Sequence, residues 1–132
     1  MARVVKSSVD LSHTVNLIQF GREVADGLDK LHEQVSEECL KEVRSNSEQF
    51  TKYGHGDYAK GWTKTRTADG YVVHNTNYRL PHLLENDHPI FARGKKVADY
   101  KGRKHIAPAA DNANKKFVER AEQIIEEKAR KI

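Results

Sequence analysis

The stretch Trp62-Thr63-Lys64-Thr65-Arg66-Thr67-Ala68-Asp69-Gly70-Tyr71-Val72-Val73-His74-Asn75 decides the fold class. Threonine recurs at every second position from Thr63 to Thr67, and β-branched residues on a period of two suit a pleated strand. Ala68-Asp69-Gly70 carries an Asp-Gly turn signal, since both central residues of a tight hairpin must tolerate positive φ. Tyr71 to Asn75 then return as the partner strand. The sequence thus predicts a β-hairpin.

Both flanks of the hairpin have helical periodicity. Upstream, Leu28, Leu31, Val35, Cys39, Val43 and Phe50 step by three, four, four, four and seven, which predicts a long amphipathic helix from about Val15. Gly21 and Gly27 are expected to interrupt its first part, with Asp26 capping a restart. Downstream, Pro81 suits the first turn of a short helix through Leu83, Leu84 and Glu85. Pro108 likewise predicts the start of a last helix, whose apolar stripe runs through Ala113, Phe117, Ala121, Ile124 and Ile125. Residues 88–105 lack a pattern and read as a long basic loop in which Val97 and Tyr100 could anchor a brief strand. The expected architecture is a single α+β domain over residues 14–132, preceded by an N-terminal arm, 1–13, that could pair as an edge strand through Val4-Val5.

Composition narrows the function classes. At 132 residues the chain has room for one core. It lacks a run of about 18 apolar residues or a signal-length hydrophobic segment, so neither a membrane span nor a secretory leader is expected. The single cysteine, Cys39, allows no internal disulfide and no cysteine-based zinc cluster, which makes the cytosol the default compartment. A net charge of +4 is too weak a bias to identify a nucleic-acid binder by itself.

Candidate chemistry is sparse. His82, Glu85 and His88 stand at spacing three and three, and His74 or His105 could complete a metal site. However, Asn86-Asp87 followed by Pro89 should end the helix before His88, and the pattern is not that of a helical zinc hydrolase. No metal and no cofactor is expected. Cys39 falls on the apolar stripe, and no base is placed beside it. Gly54-x-Gly56 with Gly61 leads into a strand instead of a helix, so it reads as turn glycines and not as a phosphate loop. Tyr53, Tyr58, Trp62, Tyr71 and Tyr78 gather around the hairpin, as core or as exposed contact residues. The densest basic run carries Arg93, Lys95, Lys96, Lys101, Arg103 and Lys104 against one acid, Asp99. It reads either as solvated surface or as a phosphate-contacting element. A small nucleic-acid-binding module using residues 93–104 is therefore one alternative, and a metal-dependent hydrolase on His82, Glu85 and His88 a more distant one.

Three segments carry a family likeness. Gly56-Asp57-Tyr58-Ala59-Lys60-Gly61-Trp62, then His74-Asn75-x-x-Tyr78-Arg79-Leu80-x-His82-Leu83-Leu84-Glu85, then His105-Ile106-Ala107-Pro108-Ala109 resemble, in that order, the minor tail-component family of tailed bacteriophages. Asp87 stands where the family pattern has glycine, and Pro81 where it has another residue. The resemblance implies a non-enzymatic virion protein of the neck or tail. It would be assembled in the host cytoplasm and act in tail completion or head-tail joining as a homo-oligomeric ring, six-fold by analogy with the tail. It implies subunit or partner contacts through Tyr58, Trp62, Tyr78, Arg79, Leu83, Leu84 and Glu85. The basic loop would face either DNA in the lumen, contacted without sequence preference, or an acidic patch on another phage neck or tail protein.

Overall fold

The computed structural model describes residues 12–51 and 56–132. They form α1 (Ser12–Ser47), α2 (Asp57–Lys60), β1 (Trp62–Thr67), β2 (Gly70–Asn75), α3 (Leu80–Glu85), β3 (His88–Ala92), β4 (Lys95–Tyr100) and α4 (Ile106–Ala129). The architecture is α+β, with two long helices against each other and two separate antiparallel hairpins. Most of the predicted arm, residues 1–11 with Val4-Val5, lies outside the described residues, as does Tyr53; Ser12 and His13 belong to α1.

α1 runs unbroken through Gly21 and Gly27, so the expected interruption and the restart at Asp26 do not occur. The reason at Gly27 is close packing: a Cβ there would stand 2.9 Å from Cγ2 of Ile124 on α4. The two helices are antiparallel, with Gly27 opposite Ile124, His32 against Phe117 and Cys39 beside Ala109. α1 has 36 residues and α4 has 24. At 1.5 Å per residue α1 is therefore about 18 Å longer, and Val15, Leu17 and Ile18 in its first turns stay exposed.

β1 and β2 pair from Trp62↔Asn75 to Thr67↔Gly70. The turn is thus centred on Ala68-Asp69, one residue earlier than the Asp-Gly signal suggests, and it is Gly70 that takes the positive φ of 143°. In α3 the missing amide hydrogen of Pro81 falls in the first turn, where no intrahelical partner exists for it. Asn77 Oδ1 accepts the N–H groups of Arg79 and Leu80 just before it, both at 3.1 Å.

Residues 88–105 are not a loop. β3 and β4 form a second hairpin, joined by Arg93 (φ 53°) and Gly94 (φ 75°). Two successive residues at positive φ make the mirror-image turn whose twist matches paired strands. A bulge follows, because Ile90 pairs with Ala98 while Phe91 pairs with Lys96, leaving Val97 as the extra residue. α4 starts at Ile106, so Pro108 is its third residue and not its first.

The core lies where α1, α2, β1, α3 and α4 converge, on Leu40, Val43, Phe50, Tyr58, Trp62, Leu84 and Ala109. Phe50 sits just beyond the end of α1, not within it. The Trp62 indole N–H donates to Ser47 Oγ at 2.8 Å, and that hydroxyl donates to the Val43 carbonyl at 2.6 Å. This satisfies the one polar atom of a large buried ring. Among the described residues every buried side-chain nitrogen and oxygen has a partner.

Candidate interaction surface

A buried clasp between α3 and α4 brackets the segment that carries β3 and β4. A helix start leaves amide hydrogens without intrahelical acceptors. At α4 they are taken by the Glu85 carboxylate: Oε1 accepts from His105 N at 2.8 Å and Ile106 N at 2.9 Å, and Oε2 from Ala107 N at 2.9 Å. Pro108, next in line, has no amide hydrogen to satisfy. Burial pushes the Glu85 carboxyl up, but the three amide hydrogens and the facing His105 ring outweigh it and hold the group below the usual carboxylate range.

His105 is fully buried and extends the clasp. Its Nδ1 lies 2.9 Å from Glu85 Oε1 and 2.8 Å from the Arg103 carbonyl. Both neighbours accept, so Nδ1 carries a hydrogen, and Nε2 meets the Tyr58 hydroxyl at 2.7 Å. Burial, then the charges of Glu85 and Tyr100, raise the Tyr58 phenol well above its ordinary pKa, so it stays protonated. Asn75 Nδ2 donates to the Tyr58 carbonyl at 2.8 Å and secures the same corner from β2.

The residues expected at a subunit interface therefore divide. Tyr58, Trp62, Leu84 and Glu85 are buried in the chain's own core, where a neighbouring molecule cannot reach their side chains. The core was one reading of Tyr58 in the sequence and the preferred one of Trp62; the burial of Glu85 had no local sign, because the amides it meets come from the segment before α4 and the first residues of α4. Tyr78, 79% exposed, Arg79 and Leu83 do face outward, and the Arg79 guanidinium lies 5.4 Å from the centre of the Tyr78 ring. His82, Glu85 and His88 do not converge: Glu85 is committed to the α4 amides, His82 pairs with Asn86 at 3.0 Å, and His88 stacks on Tyr100 at 4.9 Å. Among the described residues no group of three or more His, Cys, Asp and Glu could hold a metal ion, and no helix is long and apolar enough to cross a membrane.

The basic segment is the most exposed part of the fold. Every residue from Pro89 to Asp99 is exposed, and β3 and β4 pair only with each other. The base of this hairpin is fixed: the Tyr100 hydroxyl donates to the Leu84 carbonyl at 3.3 Å, Arg103 N donates to the same carbonyl at 2.9 Å, and Gly102 N donates to Asp87 Oδ1 at 2.6 Å. A Cβ on Gly102 would collide with the backbone of Glu85 and Asn86. Arg93, Lys95, Lys96, Lys101, Arg103 and Lys104 are all exposed, with Lys96 paired to Asp99 at 2.9 Å and Lys104 donating to Asn86 Oδ1 at 3.0 Å. Between the cations stand Phe91, 62% exposed, Val97, 60%, and Ile90, 40%. Charge alone marked this segment in the sequence, and these exposed apolar residues stand on both faces of the hairpin. Comparison with protein-family models, curated proteins and solved structures found no match.

Proposed function

We propose that this chain is a structural assembly protein without a catalytic centre. In particular, we read it as a neck or tail protein of a tailed bacteriophage that completes the tail or joins it to the head, acting as a ring of like subunits on other phage neck and tail proteins. The observation that carries this reading is the convergence of the three segments of family likeness. Tyr58 from the first, Glu85 from the second and His105 from the third meet in one clasp that fixes the start of α4. Residues this buried serve the fold. The hairpin they hold outward offers apolar and cationic groups together, a composition suited to a protein partner.

The test is genetic. Reversing the charges of Lys95, Lys96, Arg103 and Lys104 together in the phage should yield heads and tails that fail to join, visible by electron microscopy as separate particles. Normal infectivity would remove the hairpin from the mechanism. The nucleic-acid alternative retains the six exposed cations in its favour. Under that alternative, retention of duplex DNA on filters falls steeply with rising salt.

A further inference from the structure

We propose that residues 5–11 of one copy add as a third strand to β2 of a neighbouring copy, along the groove between β2 and α4. This rests on the reading above that the chain assembles with itself. The register of the first hairpin identifies the open backbone groups. Bonded and non-bonded pairs alternate along an antiparallel ladder. Thr76 N donates to the Gly61 carbonyl at 2.9 Å, so Thr63 with His74, Thr65 with Val72 and Thr67 with Gly70 are bonded pairs as well. The residues between them turn their N–H and C=O groups away from the partner strand. On β1 the Trp62 carbonyl accordingly accepts from Arg44, through Nε at 3.1 Å and Nη2 at 2.6 Å. On β2 the residues so turned include Tyr71 and Val73, and among the described residues no hydrogen bond reaches their outward backbone groups.

Those two residues form one wall of the groove. α1 supplies the floor, with Val35 and Cys39, and α4 the far wall, with Ala113 and Phe117. The groove has a volume of about 380 Å³ and its lining is mainly apolar. A cavity of about 150 Å³ in another protein takes up benzene, so there is room here for more than one valine-sized side chain. An apolar floor beside an open strand edge fits an extended chain, which offers backbone groups to the edge and a side chain to the floor at every second position. The stretch Val5-Lys6-Ser7-Ser8-Val9-Asp10-Leu11 has that pattern, with Val5, Ser7, Val9 and Leu11 on one face and Lys6, Ser8 and Asp10 on the other. It lies outside the described residues, and its assignment rests on this alternation. A third strand also gives the hairpin the strand number at which a sheet with a covered face becomes stable.

Length decides between the chain's own groove and a neighbour's. The groove floor starts at His32, twenty residues into α1 from Ser12, an axial distance of about 30 Å at 1.5 Å per residue. An extended chain covers at most about 3.6 Å per residue. Val9, three residues before Ser12, therefore reaches back about 11 Å, and Val5, seven residues before it, about 25 Å. Both fall short of their own groove, which leaves the groove of another copy to receive them. The first turns of α1 follow the arm toward that neighbour, and they carry Val15, Leu17 and Ile18, all exposed. Arm and groove are different patches of one chain, so their contact is heterologous, and repetition of it makes a ring if the rotation closes.

Cys39, the single cysteine, lies in the groove and makes the contact testable by disulfide trapping. Residues 5–11 are replaced by cysteine one at a time in the full chain, the protein is oxidised with copper phenanthroline, and the linked peptides are mapped by mass spectrometry. Disulfides to Cys39 of another copy, seen as a ladder of joined chains on non-reducing gels, are expected from positions 5, 7, 9 or 11 and not from 6, 8 or 10. Adding Cys39→Ala should remove the ladder. Two further variants probe each side. Val73→Pro deletes an outward N–H that the hairpin's own ladder does not use, and Val9→Asp puts a charge on the apolar face of the arm. Each should weaken self-association about tenfold or more in sedimentation experiments, at an unchanged urea midpoint. Val9→Asp keeps the test open should Val73→Pro lower that midpoint. Self-association with no disulfide to Cys39, with all seven positions reacting alike, or with the disulfide formed within one copy overturns the added strand while assembly stands. A chain that stays monomeric at every concentration, alone and with other neck and tail proteins, overturns both.

Discussion

Glu85→Gln tests whether one carboxylate holds the start of α4. The substitution keeps the size of the side chain but turns one oxygen into an NH2 group, which cannot accept. With the remaining oxygen serving His105 and Ile106, the amide of Ala107 loses its acceptor and faces another donor. Leaving a buried amide unpaired costs about 1–3 kcal/mol, and removing a negative charge from a partly buried helix start costs up to about 2 kcal/mol. Together they predict a loss of about 1–5 kcal/mol, a substantial part of the roughly 5–15 kcal/mol that holds a domain folded. In urea, with a slope of about 2 kcal/mol per molar, the midpoint should fall by about 0.5–2.5 M with the slope unchanged. The pH dependence supplies an independent check. The folded carboxyl titrates below its ordinary value of 4.5, so its contribution is complete above that pH and is lost as pH falls through the lower folded value. The gap between wild type and Glu85→Gln should therefore be widest near neutrality and close in acid. A loss under about 1 kcal/mol at pH 7, the size of one ordinary hydrogen bond, would refute the assignment of the helix start to this carboxylate.

Tyr58→Phe removes the hydroxyl that meets Nε2 of His105 and leaves that nitrogen buried without a partner, at a cost of about 1–3 kcal/mol in urea denaturation. The His105 Nε2 resonance should shift in nitrogen NMR spectra, while Nδ1 keeps its hydrogen because Glu85 and the Arg103 carbonyl still accept it. Gly102→Ala drives a methyl group into the backbone of Glu85 and Asn86. Thermal melting should show a destabilisation of at least about 2 kcal/mol, with greater proteolytic cleavage between residues 86 and 104 than in the wild type.

The first hairpin was legible from its alternating threonines and its turn signal, and the helical stripes because one face of each helix is turned to the core. Thr63, Thr65 and Thr67 alternate with their neighbours, and Leu31, Val35 and Val43 follow the helical repeat. The second hairpin was not, since it is exposed on both faces and alternation has nothing to mark. Its turn is Arg93-Gly94, and arginine at positive φ lacks the Asn or Asp signature. Gly27 misled in the opposite sense: glycine weakens a helix locally, yet here it admits Ile124, and contact with α4 outweighs local propensity. Glu85 was placed at an interface by the resemblance and in a candidate metal set by its spacing, and neither reading reaches its buried role. The amides that hold it lie 20 to 22 residues further on, beyond the reach of any local pattern.

The bulge at Val97 bears on how the exposed hairpin meets other strands. Two strands with open edges and a bared phenylalanine form a template on which further strands can stack into fibrils. Pro89 donates no amide hydrogen to an added strand, the irregular register at Ile90 and Phe91 breaks the flat ladder that stacking needs, and the flanking lysines repel copies arriving edge to edge. The same hairpin is thus guarded against edge-to-edge aggregation while its side chains stay exposed.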